Sequence, residues 1–180
     1  MSSNPHTLPM DDLPVRSSAA LDLLSGVKVL DLTSSIAGPY AGQLLADMGA
    51  TVVKIEKPGA GDGARAWGPP FLHGESLWFM SVNRGKHSVT LDFSAPAGLD
   101  ILYKLVAEAD VIVLNLVARA QKKLKVDAAT LRALNPQLIH VSLTGFGANN
   151  NHVNAAQTGV VLRDGTKVRS RTAGGAGGTS

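Results

Sequence analysis

Five short apolar or β-branched runs alternate with helix-patterned stretches along this chain, and that alternation restricts its fold more than any other feature. Residues 27–32 form an apolar run with one lysine, bounded by Gly26 and a break of small residues, which suits a buried strand. Pro39 is placed to open a helix, Leu44, Leu45 and Met48 make its apolar face, and Gly49 ends it. Residues 51–55 are a β-branched strand, and a strand, helix and strand in one sheet make a right-handed crossover between parallel strands. The pattern repeats. Residues 88–91 read as a strand, Ser94 is placed to cap a helix carrying Leu99, Ile101, Leu102, Leu105 and Val106, and residues 111–114 are a strand. Asp127 is placed to cap a short helix reaching Leu134, and residues 138–143 are the fifth strand. The expectation is an α/β fold with an open, mostly parallel sheet and helices on both faces.

A chain of 180 residues suits one domain with a real core. It has no cysteine, which removes thiolate chemistry, cysteine-based zinc sites and disulfides together. Residues 1–24 carry Pro5, Pro9, Pro14, Asp11 and Asp12 and read as a flexible leader, not a secretory signal or transit peptide. No stretch reaches the length of a membrane span, so the expectation is a cytoplasmic protein without membrane partners. Residues 151–180 hold Arg163, Lys167, Arg169 and Arg171 against Asp164, so they account for the whole net charge of +3 and leave the first 150 residues neutral. A neutral domain in a chain with four phenylalanines lacks the basic face and stacking platforms of a nucleic-acid reader. No nucleic-acid partner is expected.

The stretch Asp31-Leu-Thr-Ser-Ser-Ile-Ala-Gly-Pro-Tyr-Ala-Gly42 lies where the first strand gives way to the first helix. In open α/β sheets the ligand crevice lies beyond the carboxyl ends of the strands, where strand order reverses. Gly38 and its small neighbours let a ligand approach the backbone, and the following helix end suits phosphate. The G-x-G-x-x-G dinucleotide fingerprint is absent, and small residues with a proline also suit an ordinary strand-to-helix turn. Glu56 and Asp31 end strands near this crevice, where they either orient a ribose hydroxyl or, more commonly, bind a neighbouring backbone amide. His87 and His140 read as structural histidines, and the five histidines show no metal-ligand spacing, so no metal is expected.

Several ordered segments point further. Gly26-Val-Lys-Val-Leu-Asp-Leu-Thr, Ala37-Gly-Pro-Tyr-Ala, Leu45-Ala-Asp-Met-Gly-Ala-Thr-Val-Val-Lys-Ile-Glu56 and Lys57-Pro-Gly-Ala-Gly-Asp62 closely resemble the start of the family III coenzyme A transferases, the CaiB/BaiF family. Asn83-Arg-Gly-Lys-His-Ser-Val-Thr-Leu-Asp92 and Leu134-Asn-Pro-Gln-Leu-Ile-His-Val-Ser-Leu-Thr-Gly-Phe-Gly147 match two further family segments in order. The stretch containing Trp67-Gly-Pro-Pro70 is similar to members acting on succinyl or glutaryl groups.

The resemblance implies a Rossmann-like coenzyme A-binding domain over residues 25–147, acyl-CoA and carboxylic acid substrates, and an interlocked homodimer. It places Ile36 near the thioester, Ala37 and Gly38 along the coenzyme A site, and Lys57, Arg84, Lys86 and Lys123 near the phosphates and adenine. Lysines bind phosphate as compact point charges, although each one taken alone reads as a solvated surface charge. The family reaction uses an aspartate that attacks the thioester, in a Gly-Tyr-Asp context some twenty residues beyond the Gly-Phe-Gly segment. No Gly-Tyr-Asp follows Gly147, and Asp164 sits in the turn-like Val-Leu-Arg-Asp-Gly-Thr-Lys, so the catalytic residue is unassigned. Leu114-Asn-Leu-Val-Ala-Arg119 also replaces the family's Glu-Asn-Phe-Arg-Pro-Gly, keeping only Asn115. Residues 148–180 hold six glycines, including the run Gly174-Gly-Ala-Gly-Gly178, and read as a divergent, flexible tail. The expectation is a truncated transferase, weakly active or inactive alone; a non-catalytic CoA-binding module or partner subunit, and a fragment of a racemase of the same family, stay open beside it.

Overall fold

The structure, a computed structural model, describes residues 22–145. In chain order they form β1 (Lys28–Leu32), α1 (Ala37–Asp47), β2 (Thr51–Glu56), a 3-10 turn (Gly63–Ala66), β3 (Phe71–Leu72), β4 (Glu75–Ser76), α2 (Leu77–Ser81), β5 (His87–Thr90), α3 (Pro96–Glu108), β6 (Val111–Leu114), α4 (Ala118–Lys123), α5 (Ala128–Leu134) and β7 (Ile139–Ser142). Five strands make one sheet in the order β5-β2-β1-β6-β7, with every neighbouring pair parallel. All five expected strands are present, their ends within one residue of the expectation.

The period-two alternation of a strand sorts the side chains of this sheet between two helical layers. Leu30 and Leu32 of β1, Ile55 of β2 and Ile112 and Leu114 of β6 pack with Leu102 and Val106 of α3 and Leu131 of α5. Val29, Val52 and Val113 face the other way, against Leu45 and Ala46 of α1. Helices therefore cover both faces, as the alternating pattern predicts. On α1's face the same parity makes Asp31, Lys54 and Glu56 follow the valines toward the carboxyl end of the sheet, and Asp31 lies opposite Lys54 in register. All three are buried.

Two local expectations are corrected. Helix α1 begins at Ala37, so Pro39 is its third residue, still in the turn where a missing N–H removes no helical bond. Ser94 does not cap α3. It stands one residue before the cap position, and its backbone N and its Oγ both donate to Asp92 Oδ1, at 3.0 and 2.5 Å. Ala95 takes the cap position, and Pro96 opens the helix. Asp127 caps α5 as expected, accepting from Thr130 N. The hairpin β3–β4 and the short α2 carry no periodicity in sequence. The hairpin turns through His73 and Gly74, both at positive φ (50° and 85°), which is the backbone that a two-residue hairpin loop requires.

Candidate functional site

The sheet begins in the middle. β2 and β5 extend it to one side of β1, β6 and β7 to the other, so strand order reverses between β1 and β6, and a crevice opens beyond their carboxyl ends. Asn115, which follows β6, spans that point. Its Oδ1 accepts from Ser34 N at 3.1 Å and its Nδ2 donates to Ser34 O at 2.8 Å, tying the loop after β6 to the turn after β1. Helix α1 then starts at the crevice without a side-chain cap: Ile36 occupies the cap position, and no acidic residue stands in the first turn. Its first amides thus meet no carboxylate of their own helix, at the positive end of an eleven-residue dipole.

The helix start is seated tightly on the turn. A Cβ added at Gly38 would fall on the Thr33 side chain, 2.6 Å from Oγ1, and one at Gly42 would lie 2.9 Å from Asp31 Oδ2. Gly38→Ala is therefore expected to push α1 off Thr33 and to cost about 1–3 kcal/mol of stability, read from the urea midpoint.

Beneath the turn lies a buried set of charges. Lys86 Nζ donates to Asp31 Oδ2, Pro39 O and Asn83 Oδ1, each at 2.7 Å. The Lys86 side chain is 2% exposed and that of Asp31 0%, so this ammonium spends its three donors inside the protein. Burial pushes the Lys86 ammonium below the ordinary lysine value, against the pull of the Asp31 carboxylate. Asp31 also accepts from the backbone N and the hydroxyl of Thr33. Lys54 Nζ pairs with Asp62 Oδ2 at 3.0 Å, both side chains 1% exposed, and donates to Thr33 O at 2.9 Å. Glu56 accepts from Arg65 Nε and from its second terminal nitrogen, both at 2.8 Å, from Ser88 Oγ and from Asp62 N. Burial alone would raise the Glu56 carboxyl, but those bonds and the guanidinium charge outweigh it and hold the group at about 2, down from 4.5. The Arg65 guanidinium also lies over the Phe79 ring, 3.7 Å from its centroid.

The residues expected near coenzyme A do not gather at one place. Ile36, Ala37 and Gly38 do meet at the crevice, where Ile36 and Ala37 are exposed and Gly38 is buried. Lys57 follows β2 on the same edge of the sheet and is exposed. Lys123 ends α4 and lines a groove of about 360 Å³ with Phe93, Leu99, Tyr103 and Lys125. Arg84 instead pairs with Asp47 at 2.6 Å, at the far end of α1, about 15 Å along the helix axis from its start. Lys86 is enclosed. Asp31 and Glu56 take the commoner of the two roles open to them, binding backbone amides, and each holds a cation as well, the enclosed Lys86 for Asp31 and the half-buried Arg65 for Glu56. His140 sits on β7 with its Nε2 3.1 Å from Val126 O, consistent with a structural histidine. Asp164 lies outside the described residues. Sequence reasoning missed Lys54 and Asp62; the signal available was a lysine between β-branched neighbours in a strand whose next inward residue is also charged. Among the described residues, no group of three His, Asp or Glu side chains is placed to hold a metal ion, and no helix is long and apolar enough to cross a membrane.

Residues 24–179 match the family model described as CoA-transferase family III. That match runs beyond Gly147, where the matching segments read from the sequence end, into the residues expected to be divergent. The chain is 43% identical over 153 residues to a succinate–glutarate CoA-transferase of Agrobacterium fabrum, covering 82% of this chain and 37% of that protein. It is 44% identical over 124 residues to the succinyl-CoA:glutarate CoA-transferase of Mus musculus, covering 69% of this chain and 28% of that one. The crystal structure of a CAIB/BAIF family protein from Brucella suis superposes with a TM-score of 0.70 at 43% identity, over 73% of this chain and 36% of that one. The chain thus spans about a third of the length of the proteins it matches.

Proposed function

The chain belongs to CoA-transferase family III, and on that premise we propose that it serves in moving coenzyme A from an acyl-CoA thioester to a carboxylic acid, residues 25–147 holding the cofactor. The observation that carries this reading is the uncapped start of α1 at the point of strand reversal, on a turn tied to Asn115. In the proposal, Ile36, Ala37 and Gly38 border the thioester end, and exposed Lys57 and Lys123 meet phosphate oxygens of the cofactor. The relatives named for succinate and glutarate support dicarboxylic acyl groups as substrates.

Transfer in this scheme needs a free carboxylate. It attacks the thioester carbonyl and expels the CoA thiolate, which then attacks the resulting anhydride to leave an enzyme thioester and the released acid. Asp31 and Asp62 are held in buried ion pairs and buried Glu56 is held by the half-buried Arg65, so we assign none of them that attack. No nucleophile is assigned, and the 180-residue chain by itself is proposed to transfer weakly or not at all. A cytoplasmic location and the interlocked homodimer belong to the same proposal; exposed Trp67, Phe71, Leu72 and Trp78 offer apolar surface of the kind that assembly covers.

Hydrogen exchange with and without coenzyme A tests the site. Slower exchange at residues 36–38 and 115–117, with weak or no succinyl-CoA to glutarate transfer by this chain, is the expected pair of results. Protection confined to other segments would refute the placement, and transfer at the rate of a full-length transferase would refute the proposal that this chain alone is weakly active or inactive.

A further inference from the structure

The turn between β1 and α1 is held through its backbone by side chains from several other segments. Thr33 N donates to Asp31 Oδ1 at 2.9 Å, and Thr33 O accepts from Lys54 Nζ at the same distance. Ser34 N and Ser34 O are both taken by Asn115, and Ser35 N donates to Asp62 Oδ1 at 3.1 Å. Five successive polar backbone atoms thus end on side chains. Ser35 stands at φ 73°, a left-handed conformation that a serine holds only when its surroundings fix it.

Lys54 and Asp62 stand out within this set. A buried ion pair is costly to desolvate, and apolar residues of similar size often serve stability equally well. Stability is therefore a poor reason for having this pair. What it supplies instead is directional: one donor to the carbonyl before Ser34 and one acceptor for the amide after it. Asp62 Oδ1 also accepts from Ala64 N, and Asp62 N donates to Glu56 Oε2, so the acceptor is itself fixed from both sides.

We infer that Lys54 and Asp62 are positioning residues, which hold the β1–α1 turn in the one shape that presents the start of α1 to the cofactor. The inference rests on the coenzyme A reading for its purpose, while its structural content stands apart from that reading.

Two paired variants separate positioning from simple stability. Lys54→Met with Asp62→Leu removes both charges, leaves no stranded ion, and takes away both contacts to the turn. Lys54→Met with Asp62→Asn also removes both charges but keeps an oxygen that can accept from Ser35 N. The first pair is expected to speed amide exchange at Ser35 by about tenfold or more, with Leu30 and Ile112 in the core unchanged. The second is expected to return Ser35 most of the way to wild type. Coenzyme A affinity should follow the same order, about tenfold weaker for the first pair and less so for the second. Equal exchange at Ser35 in wild type and the first pair would overturn the inference, as would failure of both pairs to fold, since the ion pair would then determine folding and not turn shape. Wild-type protein that does not bind coenzyme A would remove the cofactor reading, and the exchange comparison would still decide whether the pair shapes the turn.

Discussion

Replacing Lys86 with methionine is expected to cost this domain about 3–5 kcal/mol, the range for breaking a buried ion pair from one side. The loss follows from what is left behind. Asp31 has no exposed surface and would be left buried without its cation, while Pro39 O and Asn83 Oδ1 would lose their donor. Methionine fills the same space but donates nothing. Equilibrium urea unfolding of the variant reads the effect directly. The informative controls are Lys57→Met and Lys123→Met, two exposed lysines expected to change stability by no more than about 0.5 kcal/mol. A Lys86 variant as stable as these two would mean that Lys86 is a surface cation free to meet a phosphate. The geometry points the opposite way, with Lys86 acting on the site only through the seat of α1.

Acid is expected to destabilise the protein through Glu56 by about 3 kcal/mol, at about 1.36 kcal/mol for each tenfold difference in proton affinity between the folded and unfolded carboxyl. The folded carboxyl titrates at about 2 and the ordinary group at 4.5. A depressed carboxylate binds more protons unfolded than folded between those values. Its contribution is therefore complete above pH 4.5 and drains away as pH falls toward 2. Exposed Asp92 and half-buried Asp127, lowered by hydrogen bonds from Ser94 and Thr130, titrate in the same direction, so the Glu56 share is found by difference. Urea unfolding of wild type and Glu56→Gln at about pH 6 and about pH 2.5 gives that difference. The variant should be less stable near neutrality, and the gap should narrow in acid. A gap that stays constant across this range would show that Arg65 and Ser88 do not hold Glu56 ionised.

The sheet was legible because buried parallel strands leave β-branched runs at regular spacing, and residues 111–114 show this with no polar interruption. Parity within those runs carries more than strand position. Lys54 stands one residue from each of Val53 and Ile55, on the opposite face, so its charge lies on the α1 side of the sheet, against Asp62 and the turn after β1. Reading Asp31 as its neighbour needs the register between β1 and β2, which no single run contains. Arg84 and Lys86 show why a basic position in a familiar segment does not define a site. Two residues apart, one lies at the solvent-facing end of α1 on Asp47 and the other vanishes beneath its start. The hairpin β3–β4 was illegible for a different reason, since strands of two residues have no period to detect.

Calorimetric titration of coenzyme A into the purified, folded 180-residue chain decides whether the start of α1 is a working cofactor site. Saturable binding at one site per chain is the expected result, weakened by Gly38→Ala and by the paired Lys54 and Asp62 variants. A folded protein that takes up no heat and shows no saturation across the titration would contradict it, leaving family membership without a working cofactor site in these residues.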